Sequence, residues 1–317
     1  MGSGFYAFDA IDDAISRTKT LLWPFRAGVW FRLALIALFV GGFGGGFNIF
    51  SYNLDSGPDM GMPLDPGVSM ALVLALIGIV LLLALIFLMI GSILQFVFVD
   101  CLSSGTVSLS RTFGLRSGKG LRLFLFQFGL MLLIFAAIAL LALILIFPAG
   151  MTGTPNVVFF LLMLPVLLVL AIIVGVVMML TIDFVVPVMI RDDCGVITGW
   201  RRVWGFVRAD LKNTAVYVVF KFVLGIVVGL IVLLLALLVL AVIAVPLLVV
   251  GAAAMYIMNG AVLPFYLLLL GIGVLIAIPF LLLVQVPFVT FFRYYSLGVL
   301  SSFTPDYDLL PPGEASA

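Results

Sequence analysis

Three polar side chains sit inside otherwise apolar runs of this chain, at corresponding places. Gln95 stands in QFVFVD, Asp183 in DFVVPVMIR and Gln285 in QVPFVTFFR, each near the end of a long uncharged stretch. The last two phrases close on an arginine eight residues on, Arg191 and Arg293. A carboxylate in hydrocarbon costs about 2.5 to 3.5 kcal/mol even on the lenient insertion scale, so such groups face a bundle interior or a water-filled cavity. Two chemistries fit. Gln95, Asp183 and Gln285 could converge on a headgroup or an ion, or they could hydrogen-bond between helices and hold a bundle together. Arg191 lies two turns along the same helix, too far for a close contact, so the partner of Asp183 is expected from elsewhere, with Lys221 or Arg32 as the choices. Pro187 and Pro287, just beyond Asp183 and Gln285, are expected to bend their helices, and broken helices beside polar residues are common at transporter sites.

Other chemistry is thin. There is no His and only one Glu, which excludes His-dependent triads and His-containing metal sites. Apart from Asp183 and Asp100 few groups could make an acid and base pair. We therefore expect no catalytic residue, no metal and no cofactor. Cys101 and Cys194 stand alone at matching places, as free packed thiols in a reducing compartment would. GGFGGG at 41–46 has the composition of a phosphate loop but no following Lys, and reads as close helix packing or a flexible exit.

The elements that carry these residues are membrane spans. The chain is 65% hydrophobic and 9% charged, against about 25% charged in soluble domains. Residues 66–99, 123–182 and 222–292 are uncharged runs of 34, 60 and 71 residues. A span needs about 20 residues, so the last two each hold a pair, split at 148–156 and around 251–264. The expected fold is an all-α integral membrane protein with six transmembrane helices, at about 29–47, 68–99, 122–147, 157–190, 214–247 and 264–297. All fifteen Lys and Arg lie on one side of this arrangement, so both termini are expected to be cytoplasmic. The opposite loops carry only Asp55, Asp59 and Asp65.

The six spans read as three tandem repeats. WPFRAGVWFR at 23–32, FGLRSGKGLR at 113–122 and WGFVRADLK at 204–212 share an aromatic, then a turn-permitting Pro24, Gly114 or Gly205, then an arginine and a closing base. Their starts differ by 90 and 91 residues, a fixed period that marks a repeated unit. An amphipathic helix is expected before each phrase. The first carries Ile11, Ala14, Ile15, Thr18 and Leu22 on one face, the second covers 104–112, and the third carries Val196, Trp200, Val203 and Trp204. Each repeat, at about 5–100, 101–190 and 191–300, is then an interfacial helix, a tight turn and two spans. Aromatic and basic residues at such a boundary contact lipid headgroups, here Trp23, Arg26, Arg32, Arg116, Arg122, Trp200, Arg201, Arg202, Trp204, Arg208 and Lys212. Asp9, Asp12 and Asp13 ahead of any apolar run argue against a signal peptide. One membrane domain is expected over 1–303, with an acidic, Pro-rich, disordered tail at 304–317.

The stretch DFVVPVMIRDDCGVITGWRRVWGFV at 183–207 resembles a family through Phe184, Val185, Pro187, Asp192, Gly195, Arg201, Arg202 and Trp204, with Gly199 where that family usually has Ala. It is similar to uncharacterised archaeal six-span proteins related to the membrane domain found beside glycerophosphoryl diester phosphodiesterases, and the run into GGFGGGFN resembles the archaeal members. The resemblance implies an integral membrane module of unassigned activity, sometimes attached to a lipid-hydrolysing domain. No soluble region of this chain is large enough to be that domain, and no catalytic residue carries over. The expected function is that of a non-catalytic multi-pass protein of the cell membrane: a scaffold, an accessory subunit or a lipid-organising module. The alternative is a transporter or channel for a small polar or lipidic solute. Expected partners are membrane lipids and another membrane protein or a second copy, with no nucleic acid.

Overall fold

The computed structural model describes residues 6–44, 66–104, 109–152, 157–257 and 263–310. Every regular element among them is helical: α1 (Tyr6–Leu22), α2 (Ala27–Gly44), α3 (Pro66–Ser104), α4 (Leu109–Thr152), α5 (Val157–Leu180), a π-helical segment (Thr181–Val185), α6 (Val186–Arg191), α7 (Val196–Ala209), α8 (Leu211–Ile257), α9 (Leu263–Phe303) and a 3₁₀ turn (Pro305–Tyr307). Five apolar stretches are long enough to cross a membrane: Ala71–Ser104, Thr112–Leu143, Met163–Arg191, Leu211–Ala253 and Leu267–Phe303. The helix α2 is shorter, at 18 residues.

The core occupies one end of this bundle. Ile93 to Leu102 on α3, Leu180 to Met189 around the π segment and Val286 to Leu300 on α9 supply most of its buried apolar residues, joined by Leu33 and Ile36 of α2, Leu123 of α4 and Tyr217 of α8. Away from that end the helices show their apolar side chains: Leu81 to Leu83, Leu233, Leu234 and Leu268 are all more than half exposed. A soluble surface does not tolerate patches of that size, whereas hydrocarbon solvates them. The bundle is therefore packed at its charged end and lipid-facing beyond it.

Close approach of α3 and α4 depends on one glycine. A Cβ on Gly120 would stand 2.4 Å from Ile93 Cγ1 and 2.7 Å from Ile93 Cα, so side chain and backbone would both have to move. Gly120→Ala should destabilise the protein by about 1 to 3 kcal/mol, as overpacking does. Gly114→Ala on the same helix meets nothing within 4 Å and should be neutral or mildly stabilising. Thermal unfolding of the two variants side by side checks this, and equal midpoints would refute the close contact.

Helix breaks fall where the chain removes or captures backbone groups. Pro24 ends α1, and Trp30 Nε1 donates to Leu22 O at 3.2 Å across the break. Asp210 opens α8: its carboxylate accepts from Asn213 N at 3.1 Å and Asn213 Nδ2 at 2.6 Å, and these hydrogen bonds hold its carboxyl below the usual range. Gly114 and Gly205, expected in turns, lie inside α4 and α7. Glycine permits a turn without forcing one. The second phrase therefore has no turn, and α4 runs unbroken from Leu109, with no separate interfacial helix described before it. At its far end α4 continues through Pro148 to Thr152, beyond the expected turn start.

The amphipathic faces also differ from expectation. On α1 the buried stripe is Ala7, Ala10, Ala14, Thr18 and Leu22, while Ile15 is half exposed. Small residues win because α9 comes close: a Cβ on Gly298 would lie 3.4 Å from that of Ala10. On α7 the buried stripe is Val196, Gly199, Val203 and Val207, and Trp204 faces out. Residues 304–310, expected to begin the disordered tail, pack on the bundle. Tyr307 Oη donates to Asp192 at 2.8 Å, its ring meets Phe206, and Leu310 is buried. Residues 311–317, the loops carrying Asp55, Asp59 and Asp65, and Gly45 and Gly46 lie outside the described residues.

Candidate functional site

The polar core is built around a local change of helix pitch. In the π segment the Val186 N–H reaches back five residues to Thr181 O. The next position in line, 187, is a proline with no N–H, so Ile182 O has no helical donor. Arg293 of α9 fills the gap, donating from Nη1 to Ile182 O at 2.7 Å and from Nη2 to Gln95 O of α3 at 3.1 Å. One guanidinium thus ties together three helical segments, with Phe98 at 6.0 Å from its centre. Two side chains brace the start of the segment: Thr181 Oγ1 donates to Val177 O at 2.6 Å, and Trp200 Nε1 donates to Thr181 Oγ1 at 3.1 Å.

The same segment carries Asp183, which is 3% exposed. Its Oδ2 accepts from Tyr217 Oη at 2.8 Å and from Lys221 Nζ, both on α8. Lys221 is one of the two cations the sequence offered as its partner. Tyr217 and Lys221 are four apart on α8 and so share a face. The Lys221 ammonium lies over the Tyr217 ring at 5.7 Å and the Phe292 ring at 6.0 Å. Phe184, Tyr217, Tyr295 and Phe291 stack in that order beside the pair. In this low-dielectric setting the pair needs its hydrogen bonds to offset the loss of hydration.

Gln95 and Asp183 are thus held in one neighbourhood, Gln95 through its backbone carbonyl. Gln285 is not part of these contacts: it is half-buried against α2, its Oε1 3.4 Å from where a Cβ on Gly41 would stand. It lies eight residues, about 12 Å along α9, from Arg293. The corresponding sequence positions therefore differ in depth within the bundle. Among the described residues four buried side-chain atoms lack a hydrogen-bond partner, and three of them, Gln95 Oε1, Arg293 Nε and Tyr295 Oη, lie here, so the cluster holds two cations, one carboxylate and unused polar valence.

Several of the boundary residues are held by acids. Arg116 grips Asp100 bidentately at 2.7 and 3.0 Å. Arg202 pairs with Asp192, which holds its guanidinium above the ordinary value. Lys119 pairs with Asp193 at 2.6 Å and keeps that carboxyl low, in a residue at φ 49°. Trp200 is half-buried and braces the π segment. Trp23 is 72% exposed, Arg26, Arg32 and Lys212 are exposed, and Arg122 is exposed with Nη1 near Gly195. Arg208 lies over the Trp204 ring at 5.4 Å, and Arg201 is exposed. Neither Cys101 nor Cys194 is in a disulfide among the described residues, and burial pushes the Cys194 thiol up. Among the described residues no group of three or more His, Cys, Asp or Glu is placed to hold a metal.

The chain belongs to a family of unknown function, DUF7544, which matches it over residues 5–310. That match carries no link to glycerophosphoryl diester phosphodiesterases. No curated protein and no solved structure matches it.

Proposed function

We propose that this is a non-catalytic multi-pass protein of the cell membrane that organises lipid or scaffolds other membrane proteins. We read six spans, with α2 as the first, in three tandem copies whose termini face the cytoplasm. The observation that carries the reading is the division of the bundle. At the charged end the buried ionisable groups have partners inside the bundle: Asp183 takes Lys221 and Tyr217, and Arg293 takes two carbonyls. Beyond it apolar helices present exposed faces, and a cleft of about 440 Å³ between α4 and α5 is lined entirely by apolar and small residues, among them Ile134, Leu170 and Met178. Such a surface interacts with acyl chains, and the paired core serves to fix the helices that bear it.

The second reading, transport of a small polar or lipidic solute, is favoured by the unpartnered Gln95 Oε1, Arg293 Nε and Tyr295 Oη. Reconstitution separates the two. Vesicles containing the protein should show slower lipid diffusion, measured by fluorescence recovery, with no more loss of entrapped ions or phosphate than empty vesicles. Protein-dependent flux, abolished by Asp183→Asn, would replace the first reading with the second.

A further inference from the structure

Helix α7 joins the end of one membrane-crossing stretch, at Arg191, to the start of the next, at Leu211. Both its ends are therefore held at the membrane boundary, and its 14 residues run along that boundary for about 21 Å. Its inward stripe, Val196, Gly199, Val203 and Val207, is buried against the bundle. A Cβ on Gly199 would come within 2.9 Å of Val185 Cγ1, so this face is fixed against the π segment.

A second, exposed stripe flanks it about a third of a turn round the helix, with Ile197, Arg201, Trp204 and Arg208 at spacings of four, three and four. Ile197 is 77% exposed and Trp204 49% exposed. No acid lies in α7; Asp192 is engaged by Arg202 and Tyr307, and Asp193 by Lys119. Arg201 and Arg208 have no ion pair among the described residues, and Arg208 rests on the Trp204 ring. A stripe with two unpaired cations about a turn to either side of an exposed indole, plus an exposed isoleucine, complements a surface that is anionic above and apolar below. An anionic lipid leaflet has that chemistry: phosphate at the level of the arginines, glycerol and upper acyl chain at the level of Trp204 and Ile197.

We propose that this stripe of α7 binds the phosphate headgroup of an anionic membrane lipid, with Arg201 and Arg208 on the phosphate and Trp204 at the glycerol level. The proposal rests on the lipid-organising reading and names its ligand class. The full chain in nanodiscs of equal phosphatidylcholine and phosphatidylglycerol, released and weighed by native mass spectrometry, should retain phosphatidylglycerol preferentially. Arg201→Gln/Arg208→Gln should lower that preference by about 30-fold, from roughly fivefold per basic residue near a charged leaflet. Arg201→Lys/Arg208→Lys should keep most of it. Both positions are exposed, so unchanged thermal midpoints are expected. An unchanged preference in the Gln variant overturns the proposal. So does loss of retained lipid to millimolar glycerol 3-phosphate, which would mark a site for free phosphate. Ion flux in the vesicle experiment with the lipid preference intact would sink the scaffold reading and leave this site standing.

Discussion

Asp183→Asn should lower the stability of the solubilised chain by about 3 to 5 kcal/mol, the usual cost of breaking a buried pair from one side. Asn keeps the volume and an acceptor for Tyr217, so what is removed is the charge that compensates Lys221, whose side chain is only 16% exposed. Lys221→Met alone should cost a similar amount, by stranding the carboxylate. Asp183→Asn/Lys221→Met should then recover much of the loss, since exchanging both members of a buried pair is frequently near neutral. Thermal or denaturant unfolding of the four proteins closes the cycle. Strictly additive losses would mean that the two groups do not depend on each other.

Arg293→Met should cost about 3 to 6 kcal/mol, because two charge-assisted hydrogen bonds end together and two carbonyls lose a donor. The cause assigned to one of them can be tested separately. Ile182 O lacks a helical donor because residue 187 is a proline, and Pro187→Ala supplies an N–H there. In the Pro187→Ala background Arg293→Met should therefore cost less, by about 1 to 3 kcal/mol. If the arginine substitution costs the same in both backgrounds, the guanidinium is not substituting for the missing proline donor.

Much of this arrangement can be read from residue types, and the exceptions share a cause. Asp183 is conspicuous as a lone acid in a 29-residue membrane-crossing stretch, and Lys221 is the cation nearest to a matching depth on the following long helix. Tyr217 carries a weaker signal, one turn from Lys221 on the same face. Arg293 is harder: at the end of an apolar run it has the look of a boundary base, as exposed Arg191 is. Its role follows only from Pro187, on another helix, through a carbonyl that no side-chain pattern marks. Gln285 misleads for the reverse reason. Its place in the phrase matches that of Asp183, but helices that cross at different heights bring unlike positions level, and Arg293 takes the place beside Ile182. The turns divide the same way. Pro24 and Asp210 break helices by what they withhold or accept, while Gly114 and Gly205 only allow a break that neighbouring packing declines. The α1 face was obscured because contact with α9 selects small residues over large ones.

The length of α8 bears on where such a protein can reside. From residue 222 to its end at Ile257 it is uncharged, about 36 residues and so about 54 Å of apolar rod. A bilayer core is about 30 Å thick, and even at the steep end of observed tilts, about 40°, that rod projects to about 40 Å. Since the charged end of the bundle is packed and fixes the angles between helices, tilting α8 alone would disturb the core around Tyr217. The remaining mismatch falls on the lipids, which must stretch around the protein or give way to longer-chain neighbours. Thick membranes would then be its preferred surroundings, and in thin ones shared relief of that strain would draw copies together.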